Sequence, residues 1–405
     1  MREVNLADTL LKGLYLLVFL IILGQVKNMD TLSSVSFMLT FFGVFFIWLL
    51  KAKENLNQYD IQAFFICGSA FLCVMACGVL ESGTFDFTYF KKFIIFCCTI
   101  LFFAIITKIE PKEDVKKYVL LLNTLLIFLF CYLYWTEKSG MYLMNGIITK
   151  YLNFGFANPN LAGMFCCCIG ILELIQALEA KSWRQKFVFF LLGGLMVYFM
   201  LETKSRNCLL AFLIFIVIAI VITIDRKFKF RRFTAFVITV FPLLFAALYL
   251  LVENSPSISA AFEFLASEGK GLDSRITIWQ NALQEFKHSP IIGAYSTISE
   301  GRGFSQMHNT HIDILVSYGC IVFVAVMRFL YKIIYSIGKA LTSYGEKLYF
   351  AAFTATYLMG IGEAALFSGG IGIYLCIGVF LILAKNKKVF NRSETDENCI
   401  SNELL

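Results

Sequence analysis

Apolar runs close to 20 residues long recur along the chain, separated by short polar or basic segments. They lie near 10–25, 32–50, 61–80, 92–107, 118–136, 159–178, 187–201, 208–224, 233–252, 310–331, 348–367 and 369–384. Each run can cross the roughly 30 Å hydrocarbon core of a bilayer as a helix. A segment in lipid must close its own backbone hydrogen bonds, so runs of this length mean helices. The pattern predicts an all-α, polytopic integral membrane protein of about 12 transmembrane helices, with one large extracytoplasmic loop between helices 9 and 10. The expected organisation is helices 1–9 over 1–252, the loop over 253–307, helices 10–12 over 308–384, and a polar cytoplasmic tail over 385–405. The first run ends in Gly24-Gln25-Val26-Lys27 with no small-x-small cleavage pattern, so it reads as an anchor.

Inside the long polar interval the periodicity changes. Ile276, Trp279, Leu283 and Phe286 fall on one stripe of a helix over 273–287, capped by Ser274 or Asp273. Arg275 and Trp279 are four apart and share a face. Such a helix is expected to lie on the bilayer surface with its stripe down and Arg275 at headgroup level. A Pro-Gly turn follows at Ser289-Pro290-Ile291-Ile292-Gly293. Earlier in the chain, Asn158 and Pro159 suit the start of a helix as cap and first residue.

Composition fits this class: 59% of residues are hydrophobic and 16% charged, against roughly 25% charged in soluble domains. The net charge of +7 is mostly a topology signal. With the N-terminus inside, 24 of the 35 Lys and Arg residues fall on the cytoplasmic side. No nucleic-acid partner follows from it. Twelve of the 13 cysteines lie inside or beside the apolar runs, where cysteine behaves as a small hydrophobe. Without a zinc-like CxxC spacing, neither a disulfide framework nor a metal site is expected.

The candidate chemistry gathers in and around the long interval. All three histidines, 288, 308 and 311, lie there, and histidine titrates near neutral pH. On a helix His308 and His311 face one way, while Asn309 is equally well read as an N-cap. Arg206 stands at the tight turn Leu201-Glu202-Thr203-Lys204-Ser205-Arg206-Asn207, where it either snorkels to headgroups or holds a phosphate. Arg275 carries the same two readings, and Arg302 sits in a flexible Gly301-Arg302-Gly303 tip. Asn160, one position into an apolar helix, needs partners if buried. Glu363 is an intramembrane carboxylate, a functional candidate by default, and a possible mate for Arg206 or Arg275.

Four of these features together resemble the O-antigen ligase and O-antigen polymerase-like family of bacterial membrane glycosyltransferases. They are Phe156-Ala157-Asn158-Pro159-Asn160-Leu161-Ala162; Thr203-Lys204-Ser205-Arg206; Arg275-x-x-Ile278-Trp279-x-x-Ala282-Leu283 followed by Pro290-Ile291-Ile292-Gly293; and His308-Asn309 with Gly319 eleven residues after the histidine. The set covers roughly residues 154–320. One departure is Ala294-Tyr295, where the family often has a second glycine.

The resemblance implies a glycan carried on a polyprenyl (undecaprenyl) diphosphate, attacked at its anomeric carbon by an acceptor sugar hydroxyl with inversion. His308 would be the base, worth about 10²–10⁴-fold, and Arg206 and Arg275 would hold the diphosphate. Asn160, Arg302, Asn309, His311 and Glu363 are further substrate-binding candidates. No cofactor and no metal is expected. The implied location is the bacterial cytoplasmic membrane, with the site facing outside, and the implied partners are the lipid-linked oligosaccharide, membrane lipids, a flippase and a chain-length regulator. A capsule, exopolysaccharide or O-antigen-like repeat-unit polymerase is the leading reading. A ligase moving finished glycan to another acceptor is the alternative within the family, and a lipid-linked oligosaccharide flippase is the alternative outside it.

Overall fold

The computed structural model describes residues 12, 13, 16, 19, 20, 22, 23, 30–81, 87–109, 113–136, 140–144, 147–156, 158–224, 229–252, 273–294, 307–362 and 371–385. Most of the run at 10–25 and of the tail, and much of the interval 253–307, lie outside these residues.

Eleven of the twelve helices described lie on apolar runs from 32 onward, and one, Asp273–His288, lies in the polar interval. The run at 348–367, expected as one span, is α-helical only to Tyr357. The helices are α1 (Asp30–Glu54), α2 (Gln58–Glu81), α3 (Phe87–Lys108), α4 (Glu113–Thr136), α5 (Pro159–Glu179), α6 (Trp183–Glu202), α7 (Arg206–Ile224), α8 (Arg232–Val252), α9 (Asp273–His288), α10 (Thr310–Ala340), α11 (Tyr344–Tyr357) and α12 (Ile371–Ala384). A 3₁₀ turn, Leu358–Ile361, continues α11. Among the described residues, seven of these helices (α2, α4, α5, α6, α7, α8 and α10) are long and apolar enough to cross a membrane. Large apolar side chains such as Phe64, Phe128, Phe190 and Leu251 point outward. A surface of this kind belongs in lipid.

The bundle is built round α5. Its most apolar stretch is 83% buried, against 22% for α6 beside it. Cys166, Cys167 and Cys168 are all in the core, which agrees with cysteine acting as a small hydrophobe. Polar side chains on the same helix bridge to its neighbours: Asn123 donates to Glu173 at 2.7 Å, Gln176 to the Tyr349 hydroxyl at 2.5 Å, and Lys116 pairs with Glu179 at 2.9 Å.

Four features depart from the expectations. Between the runs ending at 136 and starting at 159, where the hydrophobic pattern marked no element, β1 (Gly140–Met144) and β2 (Ile147–Tyr151) pair antiparallel, with Met144 opposite Ile147. The helix over 273–288 does form, but its apolar face meets protein instead of lipid. Ile278, Trp279 and Ala282 form a second small core with Ala246, Tyr249, Met307, Ile312 and Val316. Lys385, expected in the solvated tail, is buried, and its ammonium donates to the carbonyls of Ile106, Thr107 and Ile109 at 2.6–3.0 Å. It thus satisfies the orphan carbonyls at the end of α3.

The fourth departure lies within α10. Gly319 has φ 77° and ψ 176°, which interrupts the helix. The rings of His311 and Phe323 lie 6.2 Å apart, although a straight helix would separate these residues by about 18 Å. In an unbroken helix the Cys320 amide would donate to the Val316 carbonyl. Here it donates to the Pro290 carbonyl at 2.9 Å, and Val316 accepts from the Ala294 amide at 2.8 Å. The 289–294 turn therefore takes over both groups, which is what allows a broken helix in an apolar surrounding. The fit is tight on both sides. A Cβ on Gly319 would run into the Ile291 carbonyl oxygen, and one on Gly293, itself at φ +83°, would lie 2.6 Å from the backbone of Ser317.

Candidate functional site

The tight turn between α6 and α7 is organised by short side chains. Thr203 and Ser205 are buried, and the Thr203 hydroxyl returns to the Met200 carbonyl at 2.6 Å. Lys204 takes up φ 54°, which reverses the chain in a minimum of residues. The start of α5 presses on this turn: a Cβ at Gly163 would stand 2.7 Å from the Thr203 hydroxyl and 2.9 Å from Ser205 Cβ. Asn158 caps α5 by accepting from the Asn160 amide at 2.9 Å. The Cys208 thiol reaches the Asn160 carbonyl at 3.8 Å. Asn160, half-buried, thus lies beside the first turn of α7, whose first residue, Arg206, is exposed.

His308 stands at the opposite strut of the site. It is half-buried and held at φ 49°, an uncommon region for a residue with a Cβ and one found at functional positions. Its neighbours on both sides are fixed. Met307, before it, accepts from the Trp279 indole at 2.8 Å, which ties the start of α10 to α9. Asn309, after it, is fully buried and uses its whole amide. The oxygen caps α10 through the amides of His311 and Ile312 at 3.0 and 3.1 Å, and the nitrogen donates to the carbonyls of Pro242 and Ile361 at 3.0 and 3.1 Å.

His308 precedes the N-cap of α10 and His311 lies in its first turn, so the two histidines do not share the helix face expected of them. His311 is also fully buried. Its Nε2 is 2.6 Å from the Thr239 carbonyl, which can only accept, so Nε2 carries the proton. The Tyr357 hydroxyl donates to the same carbonyl at 3.2 Å. Thr239 and Pro242 lie on α8 around its internal proline. A proline lacks an amide proton and opens the helix wall beside it. That wall receives Asn309, His311 and Tyr357.

The two struts meet on the 3₁₀ turn after α11. Asn207, next to Arg206, donates to the Met359 carbonyl at 2.6 Å, and Asn309, next to His308, donates to the Ile361 carbonyl. The structure therefore brings Arg206, Asn160, His308, Asn309 and His311 to one end of the bundle. Arg275 belongs to α9, four residues before Trp279, but its side chain lies outside the described residues, as do Arg302 and Glu363 altogether. Asn309 and His311 make their contacts within the protein, whereas Arg206 and the partly open His308 present surface.

Asn207, Pro242 and Tyr357 were not singled out from sequence. A proline inside an apolar run was the available signal for Pro242. Asn207 follows Arg206 directly and reads as ordinary turn polarity until its carbonyl partner is seen.

Residues 188–327 match the sequence pattern of the O-antigen ligase family. This segment, about a third of the chain, runs from α6 through the break in α10 and contains Arg206, Asn207, Pro242, Trp279, Gly293, His308, Asn309 and Gly319. The match supports the resemblance over the three motifs it covers; Phe156–Ala162 lies outside it. A comparison with curated proteins gave no match.

Proposed function

We propose that the chain is a membrane glycosyltransferase of the O-antigen ligase and polymerase type, acting as a polysaccharide repeat-unit polymerase at the outer face of the bacterial cytoplasmic membrane. The observation that carries this reading is the joint grip of Asn207 and Asn309 on the 358–361 turn. It couples an exposed arginine to a strained, half-buried histidine within the segment similar to the O-antigen ligase family.

In this reading the glycan arrives on a polyprenyl diphosphate. Arg206, with Arg275 from α9, holds the diphosphate; the planar guanidinium matches two phosphate oxygens at once. The acceptor sugar hydroxyl attacks the anomeric carbon from the face opposite the diphosphate. His308 takes the hydroxyl proton as the new C–O bond forms. The old anomeric C–O bond breaks, its electrons leave with the lipid diphosphate, and the arginines balance the negative charge that develops there. Asn309 and His311 act as positioning residues, fixing the backbone on the C-terminal side of His308. Asn160, Arg302 and Glu363 remain candidates for contacts to the glycan.

The test is turnover by purified protein in vesicles supplied with synthetic lipid-linked repeat units. Longer glycan on the same lipid supports a polymerase. Transfer to a different acceptor supports the ligase reading. Translocated but unaltered lipid would refute both.

A further inference from the structure

At the end of the bundle away from Arg206 and His308, an apolar groove of about 680 Å³ opens between the end of α5, the start of α6 and the end of α7, with Tyr344 of α11 closing it. Its walls include Leu178, Phe187, Phe190, Ala219 and Ile220. The volume is that of a ligand pocket. Along α7 it runs from Phe215 to Ile224, about 13 Å at 1.5 Å per residue. That is the depth of one leaflet, half of the roughly 30 Å core.

The mouth of the groove is built for an interface. Trp183 and Tyr344 stand there, the Tyr344 hydroxyl 3.0 Å from that of Thr223. Tryptophan and tyrosine settle at headgroup level. Lys186 lines the groove itself; Arg184, also in the first turn of α6, and Lys181, on the short connection before it, are exposed. Glu179, at the end of α5, is already paired with Lys116 and bonded to Tyr349. Among the described residues the rim thus carries three basic side chains, Lys181, Arg184 and Lys186, above a wall that is almost wholly apolar.

We infer that this groove is a binding site for one anionic phospholipid of the leaflet opposite the candidate site, an acyl chain lying along α7 and the headgroup phosphate on Lys186. The groove spans one leaflet, so a chain long enough to cross the membrane is not its natural occupant. The basic rim selects an acidic headgroup over a zwitterionic one.

Native mass spectrometry of the detergent-purified full chain, offered phosphatidylglycerol and phosphatidylcholine of equal acyl length, tests this. One phosphatidylglycerol should survive delipidation in preference to phosphatidylcholine. Lys186→Ala should lower that preference about fivefold, the effect of one basic residue near an anionic lipid. Ile220→Trp, at an exposed position, should fill the groove and abolish retention while the protein keeps its elution volume and melting temperature. Equal retention of both lipids by the unaltered chain would mean ordinary boundary lipid and overturn the inference. So would unchanged retention by Ile220→Trp, or a bound polyprenyl phosphate in place of the phospholipid.

Discussion

Asn207 and Asn309 lie on different helices, yet each donates its side-chain amide to the same four-residue 3₁₀ turn, at carbonyls two residues apart. One follows an exposed arginine and the other follows a half-buried histidine. The turn therefore fixes the spacing between two groups that belong to separate parts of the chain. These two hydrogen bonds add to the anchors that hold each group on its own side, the Trp279–Met307 bond beside His308 and the buried Thr203–Ser205 turn beside Arg206.

Asn309→Ala removes a helix cap, worth about 1 kcal/mol, and leaves the buried carbonyls of Pro242 and Ile361 short of a donor, about 1–3 kcal/mol. The expected loss is roughly 2–4 kcal/mol, read as a lower melting temperature in detergent. Asn309→Asp keeps the cap acceptor but turns a carboxylate oxygen toward two carbonyls, and should be no better. A wild-type melting curve for Asn309→Asp would show that the amide nitrogen contributes nothing.

His308→Gly separates chemistry from backbone. Glycine relieves the strain at φ 49°, so the variant should fold at least as well as the parent. Its turnover should nonetheless fall by about 10²–10⁴-fold, the range for a lost general base. Turnover by the unaltered chain should persist in excess EDTA, because the proposed reaction has arginines and not a metal ion neutralise the diphosphate. Restoration by Mg²⁺ of activity lost to EDTA would contradict this.

Arg206→Lys retains the charge and the exposed position but lacks the planar fork. Glycan transfer should fall roughly tenfold or more, with the melting temperature unchanged. Transfer at the parent rate would make Arg206 a headgroup anchor.

Gly319→Ala forces a Cβ into the Ile291 carbonyl, and Gly293→Ala does the same to Ser317. Both should give little folded protein by size-exclusion chromatography. Gly194→Ala in α6, where a Cβ meets nothing within 4 Å, is the control and should behave as the parent does.

Orientation is open to a labelling test, since the described cysteines are buried or half-buried. Glu202→Cys, at the candidate-site end, should react with an impermeant maleimide on intact cells. Lys181→Cys, at the other end, should react only after lysis. The reverse pattern would place the site in the cytoplasm.

The sequence was most readable where one physical demand acts alone. Lipid requires long apolar helices, and the runs from 32 to 252 appear as such. Phe286 and Trp279 likewise announce an apolar face on α9. A stripe states that something apolar will cover it and leaves the covering surface unnamed. The cover proved to be Tyr249, Ile312 and their neighbours, supplied by segments far apart in the chain. The hairpin at 140–151 had a local signal, Asn145-Gly146 between β-branched and aromatic residues, which the pattern of long apolar runs passed over. Lys385 was unreadable in principle. A lysine after an apolar run looks solvated until three carbonyls from another helix are placed around it. The site followed the same division. His308 and Arg206 stood out as polar groups at helix mouths, whereas Asn207 acquires meaning only through Met359.

Removed from its surroundings, the segment around Gly319 would be better off straight. In an apolar medium an amide and a carbonyl four residues apart find each other first, so the Cys320 amide and the Val316 carbonyl would close the helical ladder between them. Only the arrival of the 289–294 turn offers both groups new mates at once. Docking of the turn and bending of α10 are therefore a single event, and the direction in which His311 points is decided by a loop some 20 residues upstream.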